Sequence, residues 1–137
     1  MEPVAVVIVL ALLEYVVFGM LVGRARGLYG VKAPAISGHE IFDRYFRVHQ
    51  NTLELLVVFV PAMWLFGLYV DPAWAALLGL VYVVARILYL RGYVRDPAKR
   101  EIGFALSVLP ILVLLVGALW GAGTALAYEE RNGDRGQ

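Results

Sequence analysis

Four long stretches of apolar residues dominate the chain, and polar residues are concentrated between them. Each stretch is close to the ~20 residues that a helix needs to cross the ~30 Å hydrocarbon layer of a membrane. The stretches are continuous and lack the alternation of a β-strand, so helices are predicted. The pattern predicts an all-α integral membrane four-helix bundle, one domain over residues 1–128. The predicted spans cover about residues 3–23, 48–70, 72–90 and 102–128.

The segments between the spans differ in length. Residues 24–46 form a long polar connection between the first and second spans, whereas Asp71-Pro72 predicts a tight turn between the second and third. Residues 91–101 connect the third and fourth spans. Residues 129–137 form a polar C-terminal tail, which is expected to be frayed or disordered.

Basic residues are concentrated in the first and third connections, which emerge on the same side if the four helices cross in sequence. The positive-inside rule assigns such connections to the cytoplasm. We therefore expect a multi-pass membrane protein whose two termini are both non-cytoplasmic. The basic residues of these connections are Arg24, Arg26, Lys32, Arg44, Arg47, Arg91, Arg95, Lys99 and Arg100.

The composition favours a membrane protein and excludes several kinds of site. Hydrophobic residues make up 61% of the chain and charged residues 17%, whereas soluble domains carry about 45–50% and about 25%. The net charge of +1 favours neither nucleic acid nor an acidic partner. Because there is no cysteine and the only histidines are His39 and His49, no metal site is predicted. The N-terminal span lacks a basic n-region and a cleavage pattern, so it is expected to be retained.

Two pairs of glycines occur at helical spacing within the first and fourth spans. They are Gly19 with Gly23 and Gly117 with Gly121. Small residues four apart let two helix backbones approach closely in a membrane. The pairs therefore favour close helix packing, within one subunit or between subunits.

Polar residues interrupt the apolar pattern near the start of the second span. Arg47, Asn51 and Glu54 are spaced i, i+4 and i+7, which places them on one helical face. Polar and charged side chains are expensive in or near hydrocarbon, so such a group is a functional hypothesis. The third span carries a similar face, formed by Tyr82, Arg86, Tyr89 and Tyr93.

The predicted topology brings these two faces and Arg100 to one membrane level. Such a cluster suits a ligand with several carboxylates and an amine, because arginines bind carboxylates in a bidentate geometry. Glu54 suits an ammonium group, and Asn51 offers both a donor and an acceptor. An arginine near a thiol favours the thiolate, which is the nucleophile. A second, lipid-soluble substrate would reach the cluster from the bilayer.

These residues also have purely structural explanations. Arginines at helix ends commonly extend to lipid headgroups, and interfacial tyrosines form aromatic belts. Asn51 alone could be an interhelical hydrogen bond, and Glu54 with Arg86 could be a structural ion pair. The spacing leaves both explanations open and favours a functional pocket.

Four motifs contain these polar residues: "ARGLYGVKAP" at residues 25–34, "RVHQNTLE" at 47–54, "GLVYVVARILYLRGY" at 79–93 and "DPAKREIGF" at 96–104. Together they resemble the motifs of the MAPEG family, the membrane-associated proteins in eicosanoid and glutathione metabolism. The resemblance implies four-helix subunits that assemble as homotrimers, with glutathione bound as a cosubstrate between neighbouring subunits at the cytoplasmic end. It is greatest to the microsomal glutathione S-transferase branch.

The resemblance also implies roles for individual residues. Arg100 matches the arginine that stabilises the glutathione thiolate, and Tyr89 is the second candidate catalytic residue. Arg26, together with Gln50 or His49, is implied to approach from the adjacent subunit. The implied glutathione-binding residues are Arg26, Arg47, Gln50, Asn51, Glu54, Arg86, Tyr89, Tyr93 and Arg100.

Two positions depart from the leukotriene-synthesising branch of the family. Leu55 stands where that branch has a tyrosine, and Gly27 stands where it has a second arginine. One hydroxyl contact and one cation are therefore missing, which disfavours leukotriene synthesis. General glutathione transferase activity and glutathione-dependent peroxidase activity are less affected.

The leading hypothesis is a membrane-bound glutathione transferase or peroxidase acting on hydrophobic electrophiles or lipid hydroperoxides. A non-catalytic, lipid-binding scaffold of the same family is one alternative. A small multidrug transporter is another, because such transporters use a glutamate in their first helix and Glu14 has such a position. The predicted depth of Glu14, near the middle of the membrane, places it far from the polar cluster, and Glu14 is expected instead to pair within the bundle or to face a trimer axis.

Overall fold

The computed structural model describes residues 1–133 and contains four long α-helices. Across this range there is no β-strand, and each long helix contains an apolar segment long enough to cross a membrane. The prediction of an all-α, four-helix membrane bundle is confirmed. The helices are α1 (Glu2–Tyr29), α2 (Glu40–Tyr69), α3 (Pro72–Arg95) and α4 (Arg100–Gly133), and a short 3-10 helix (Pro97–Lys99) precedes α4.

Capping residues fix the ends of the first three helices. α1 is closed by Gly30, whose φ of 68° lies in the left-handed region that favours glycine. At the start of α2, Nδ1 of His39 accepts a hydrogen bond from the backbone N–H of Ile41 at 3.1 Å. At the start of α3, the Asp71 carboxylate accepts one from the backbone N–H of Trp74 at 2.9 Å.

The helices extend beyond the predicted spans. Only residues 30–39 separate α1 from α2, so the connection predicted over residues 24–46 is too long. Hydropathy marks the part of a helix that lies in hydrocarbon, whereas the caps decide where the helix ends. α4 continues through Gly133, so residues 129–133 of the predicted tail are helical rather than frayed. The rest of that tail, residues 134–137, lies outside the described residues.

Successive helices run antiparallel, and α2 and α3 each pack against all three other helices. The last turn of α3 meets the first turns of α2, where Arg44 Nη1 donates a hydrogen bond to the Val94 carbonyl at 2.9 Å. The ends of α1 and α3 and the starts of α2 and α4 lie in the same half of the bundle, which we call the polar half. The opposite half is called the apolar half.

The apolar half contains the main hydrophobic core, to which all four helices contribute. Its outer surface is also apolar: Leu119 and Trp120, for example, are 77% and 76% exposed. A surface of this kind is suited to lipid rather than water. The core contains Val4, Val7, Ala11, Phe59, Ala62, Met63, Ala75, Ile111, Leu114 and Ala118.

Three of the four paired glycines pack within the subunit. A Cβ added at Gly19, Gly117 or Gly121 would meet an atom of α2 within 3.1 Å. Gly23 is different, because a Cβ there would have no atom within 4 Å. The close packing predicted from the glycine pairs is therefore observed between helices of one chain at three positions.

Candidate functional site

A polar cleft opens in the polar half, between the start of α2, the end of α3 and the start of α4. Its volume is about 310 Å³, near the lower end of the ~300–1,000 Å³ typical of small-molecule sites. Seven of the nine predicted ligand-binding residues line it together. They are Arg47, Gln50, Asn51, Glu54, Tyr89, Tyr93 and Arg100.

α2 supplies four of these side chains. Arg47, Asn51 and Glu54 face the same volume, as their helical spacing predicts, and Gln50 lies beside them. Asn51 is half-buried at the inner wall, whereas the other three are exposed. One face of α2 therefore presents a cation, two amides and a carboxylate to whatever enters the cleft.

Arg86 lies behind the inner wall of the cleft and is completely buried. Its guanidinium donates hydrogen bonds to Asn51 Oδ1 at 2.8 Å, Thr52 Oγ1 at 2.9 Å and Ser107 Oγ at 3.3 Å. Its Cζ atom lies 4.2 Å from the centroid of the Tyr89 ring. Arg86 thus contacts two residues that line the cleft, Asn51 and Tyr89, and connects α2, α3 and α4.

Thr52 and Ser107 belong to this network, although the sequence reasoning did not find them. Both side chains are fully buried, and each hydroxyl donates to the backbone carbonyl four residues earlier at 2.7 Å. Their oxygens remain free to accept hydrogen bonds from Arg86. A signal existed for Ser107, because it follows Arg100 by seven residues and shares its helical face. Thr52 has no comparable signal.

The start of α4 places Arg100 close to Tyr89. The Asp96 carboxylate accepts a hydrogen bond from the backbone N–H of Ala98 at 3.0 Å, which stabilises the turn before Arg100. A Cβ at Gly103 would lie 2.6 Å from the Tyr89 Cα atom. Only glycine permits this approach of α4 to α3.

Two further clefts adjoin the central one. The smaller, about 190 Å³, lies beside Tyr89 and Arg100 and is also lined by Glu101 and Phe104. The larger, about 680 Å³, extends the central cleft toward the connection between α1 and α2. It shares four lining residues with the central cleft: Arg47, Gln50, Glu54 and Tyr93.

Arg44 holds two walls of the larger cleft together. Besides its hydrogen bond to the Val94 carbonyl, Nη1 lies 3.4 Å from the Arg95 carbonyl oxygen. Nη2 forms an ion pair with Glu40, one turn earlier on α2. Cationic side chains that bind the last carbonyls of a helix satisfy acceptors that lack helical partners. Arg44 therefore fixes the end of α3 against α2.

Arg26 lies outside the cleft of its own chain. Its guanidinium donates hydrogen bonds to the backbone carbonyls of Val31 and Ala35 and lies 4.8 Å from the centroid of the Phe42 ring. These contacts hold the connection between α1 and α2 against the end of α1. Within one subunit Arg26 stabilises that connection.

His49 also lies outside the cleft. Its ring stacks on Tyr15 of α1, with the ring centroids 4.3 Å apart. The family resemblance implied that Gln50 or His49 approaches from the adjacent subunit. In this structure Gln50 lines the cleft of its own chain, and His49 packs between α1 and α2.

Glu14 lies closer to the polar network than expected. A Cβ added at Gly79 of α3 would lie 2.6 Å from Val7 Cγ1 of α1, and two helical turns further along both helices Glu14 comes level with Arg86. The expectation that Glu14 is far from the polar cluster is therefore wrong. Hydropathy indicates how deep in the membrane a residue lies along its own helix. It does not indicate how far a long side chain on a neighbouring helix, such as Arg86, extends into the bundle.

The sequence matches the model of the MAPEG family over residues 4–120. The chain belongs to the MAPEG family. An uncharacterized protein of Synechocystis sp. is 50% identical over 115 residues, which cover 84% of each chain. Microsomal glutathione S-transferase 2 of Homo sapiens is 40% identical over 116 residues, 84% of this chain and 79% of that protein. Leukotriene C4 synthase of Cavia porcellus is 33% identical over 117 residues, 85% of this chain and 78% of that protein.

The cleft of this MAPEG protein lies entirely inside the matched segment. Its two arginines are suited to carboxylates or to another anion, and Glu54 is suited to a cationic group. Residues 1–133 contain no group of three or more histidine, cysteine, aspartate or glutamate side chains that could hold a metal ion. The arrangement fits a small ligand that carries both positive and negative charges.

Proposed function

We propose that this MAPEG protein is a membrane-bound glutathione transferase that also has glutathione-dependent peroxidase activity. It activates the glutathione thiol for attack on hydrophobic electrophiles or lipid hydroperoxides, a chemistry suited to detoxification. The observation that carries the proposal is the single cleft that two arginines, a glutamate, two amides and two tyrosines line together. The similarity to microsomal glutathione S-transferase 2 supports glutathione as the cosubstrate.

Glutathione carries two carboxylates and one ammonium group, which match the charges of the cleft. Arg47 binds a carboxylate through its planar guanidinium, and Glu54 binds the ammonium of the γ-glutamyl unit. Asn51 binds a peptide group or a carboxylate, since its amide both donates and accepts. Gln50 and Tyr93 complete the polar wall. The opposite charges on α2 fix the direction in which the tripeptide binds.

Arg100 and Tyr89 act on the thiol. A nearby guanidinium favours the thiolate over the thiol, and a phenol hydroxyl donates a hydrogen bond to it. In conjugation, the sulfur forms a bond to an electrophilic carbon as the leaving group departs. In peroxide reduction, the sulfur attacks a peroxide oxygen and the O–O bond breaks, which releases the alcohol and leaves the glutathione sulfur as a sulfenic acid. A second glutathione thiol then displaces water from that sulfur and forms the disulfide. Arg86 contributes by holding Asn51 and Tyr89 in place.

The smaller adjoining cleft is where the hydrophobic substrate approaches the sulfur. This cleft is lined by Arg100 and Tyr89 and also by Phe104, which is 42% exposed on the apolar outer surface. A lipid-soluble electrophile can therefore reach the thiolate from the bilayer without crossing the polar cleft.

The proposal includes a homotrimer in which Arg26 of a neighbouring subunit completes the site. Arg26 does not reach the cleft of its own chain, yet it lies in the same polar half. The positive-inside rule places this half, with its basic connections, on the cytoplasmic side and both termini on the other side.

Isothermal titration of glutathione into protein in mild detergent tests the cosubstrate. Arg47→Ala and Glu54→Gln should each weaken binding by about tenfold or more, which corresponds to about 1.4 kcal/mol. Arg91→Ala is the matched control, because Arg91 is exposed in the same half but does not line the cleft. Binding of lipid but not of millimolar glutathione would contradict the enzyme and favour the scaffold. Substrate-dependent proton flux in proteoliposomes would favour the transporter.

Coexpression of two defective subunits tests the trimer. When Arg26→Ala and Asn51→Ala subunits assemble together, some sites combine an intact Asn51 with an intact Arg26 from the neighbour. Glutathione binding should therefore recover in mixed oligomers and not in either pure variant. If glutathione binding does not recover in purified mixed oligomers, either Arg26 and Asn51 of one subunit act in the same site or Arg26 does not belong to the site.

A further inference from the structure

Four buried polar atoms of the described residues have no hydrogen-bond partner in the protein, and they belong to three side chains. They are both carboxylate oxygens of Glu14, the hydroxyl of Tyr82 and Nε of Arg86. Burying even one such group without a partner is unfavourable by roughly 1–3 kcal/mol. Four such atoms on three side chains therefore indicate a feature that the proposed chemistry of the cleft does not explain.

The charge of Arg86 presents the same problem. Its side chain is fully buried, and its three hydrogen-bond partners, Asn51, Thr52 and Ser107, are all neutral. No carboxylate of residues 1–133 lies within 4.0 Å of its guanidinium nitrogens. A buried cation without a counter-charge is strongly destabilising in a low-dielectric interior. Arg86 therefore needs an anion nearby that does not contact it directly.

Glu14 is the acidic residue that meets this need. It lies on α1, which packs against α3. A Cβ added at Gly79 of α3 would lie 2.6 Å from Val7 Cγ1 of α1, and seven residues further along these parallel helices Glu14 comes level with Arg86. Tyr82 precedes Arg86 by one helical turn, so its hydroxyl is on the same face of α3. Buried water commonly satisfies polar atoms that are too far apart for direct contact, and it needs two to four such partners. Glu14, Tyr82 and Arg86 provide four.

We propose that Glu14 is the counter-charge of Arg86, and that water held by Glu14, Tyr82 and Arg86 joins the two charges. Glu14 is then a positioning residue: it keeps the Arg86 guanidinium where it binds Asn51 Oδ1 and covers the Tyr89 ring. A charge in the first helix thus supports a cleft built by the other three helices. The pairing itself does not depend on which ligand the cleft binds.

Difference infrared spectroscopy on the intact protein tests the charge state directly. The spectrum of Glu14→Gln minus wild type should show the loss of an ionised carboxylate band. Bands of buried water, identified by their shift in oxygen-18 water, should disappear in the same variant and weaken in Tyr82→Phe. Tyr15→Phe, at the neighbouring position of α1, should change neither. Loss of a protonated carboxylic acid band instead, or no change in buried water, overturns the proposal.

Thermal unfolding of single and double variants provides a second readout without any ligand. Glu14→Gln and Arg86→Met should each lower the Tm, because each leaves one charge unbalanced. The double variant should recover much of the loss, since both charges are gone. Strictly additive losses would overturn the pairing. If Arg86→Met does not fold, rescue of its expression by Glu14→Gln gives the same answer, and absence of rescue contradicts it.

Discussion

The core of the apolar half consists of packed apolar side chains, whereas the polar half buries hydrogen-bonded polar groups. Met63 and its neighbours in the apolar half are buried among other apolar side chains. The three polar or charged residues of the described chain that are buried as a whole, Thr52, Arg86 and Ser107, lie in the polar half. Both halves are built from the same four helices, so the difference lies in which side chains the helices enclose.

This difference separates anchoring from recognition. Apolar packing is non-directional and tolerates rearrangement, so it can fix the bundle in the membrane without fixing any single atom. Hydrogen bonds from a buried guanidinium require defined positions of their acceptors. The polar half therefore positions Asn51 and Tyr89 through Arg86, and the two halves should respond differently to substitutions of similar severity.

The largest contrast is expected between Arg86→Met and Met63→Ala. Removing one partner of a buried charge pair destabilises by about 3–5 kcal/mol, and truncating a buried methionine by about 2–5 kcal/mol. Both variants should therefore lower the Tm. Only Arg86→Met should also weaken glutathione binding, by about tenfold or more. Calorimetric titration of glutathione into both variants checks this. Equal glutathione affinities in the two variants would show that Arg86 does not position the residues of the cleft.

A smaller contrast is expected between two glycines of α4. Gly103→Ala inserts a methyl group against the Tyr89 backbone, and Gly117→Ala inserts one against the Phe66 ring. Overpacking of this kind destabilises by about 1–3 kcal/mol. Gly103→Ala should also lower the conjugation rate at saturating glutathione, because α4 and Arg100 move away from Tyr89. If Gly117→Ala lowered that rate as much, the site would depend on general packing instead.

The smallest contrast is expected between two capping aspartates. Asp96→Ala and Asp71→Ala should each destabilise by about 1 kcal/mol through the loss of a capping hydrogen bond. Asp96 stabilises the turn before Arg100, whereas Asp71 caps α3 in the apolar half. Turnover of Asp96→Ala should therefore fall a few-fold while that of Asp71→Ala stays at the wild-type rate. Steady-state kinetics together with melting curves distinguish the two.

Much of the fold and of the cleft could be predicted from the sequence, because both depend on spacing within single helices. Apolar length located the four spans, and helical periodicity grouped Arg47, Asn51 and Glu54 on one face. The topology then placed Tyr89 and Arg100 at the same level. Each of these steps needs only one helix and the order of the helices.

The parts that could not be predicted depend on contacts between helices. In the sequence, Thr52 and Ser107 are small residues within apolar helices, and only the structure shows that Arg86 donates a hydrogen bond to each of them. The proximity of Glu14 to Arg86 likewise depends on how α1 rotates against α3. The family resemblance pointed to Arg26 as a ligand residue, but in one chain it binds backbone carbonyls of the neighbouring connection.

The thiolate absorbance of bound glutathione tests the central claim most directly. Difference spectroscopy near the ultraviolet edge should show a thiolate signal when glutathione is added to the wild-type protein and to Lys99→Ala. In Arg100→Ala the signal should be lost, and turnover should fall by about 10²–10³-fold, the range found when one stabilising donor is removed. Glutathione affinity should change much less. An undiminished thiolate signal and rate in Arg100→Ala would contradict the account of the cleft as a thiol-activating site.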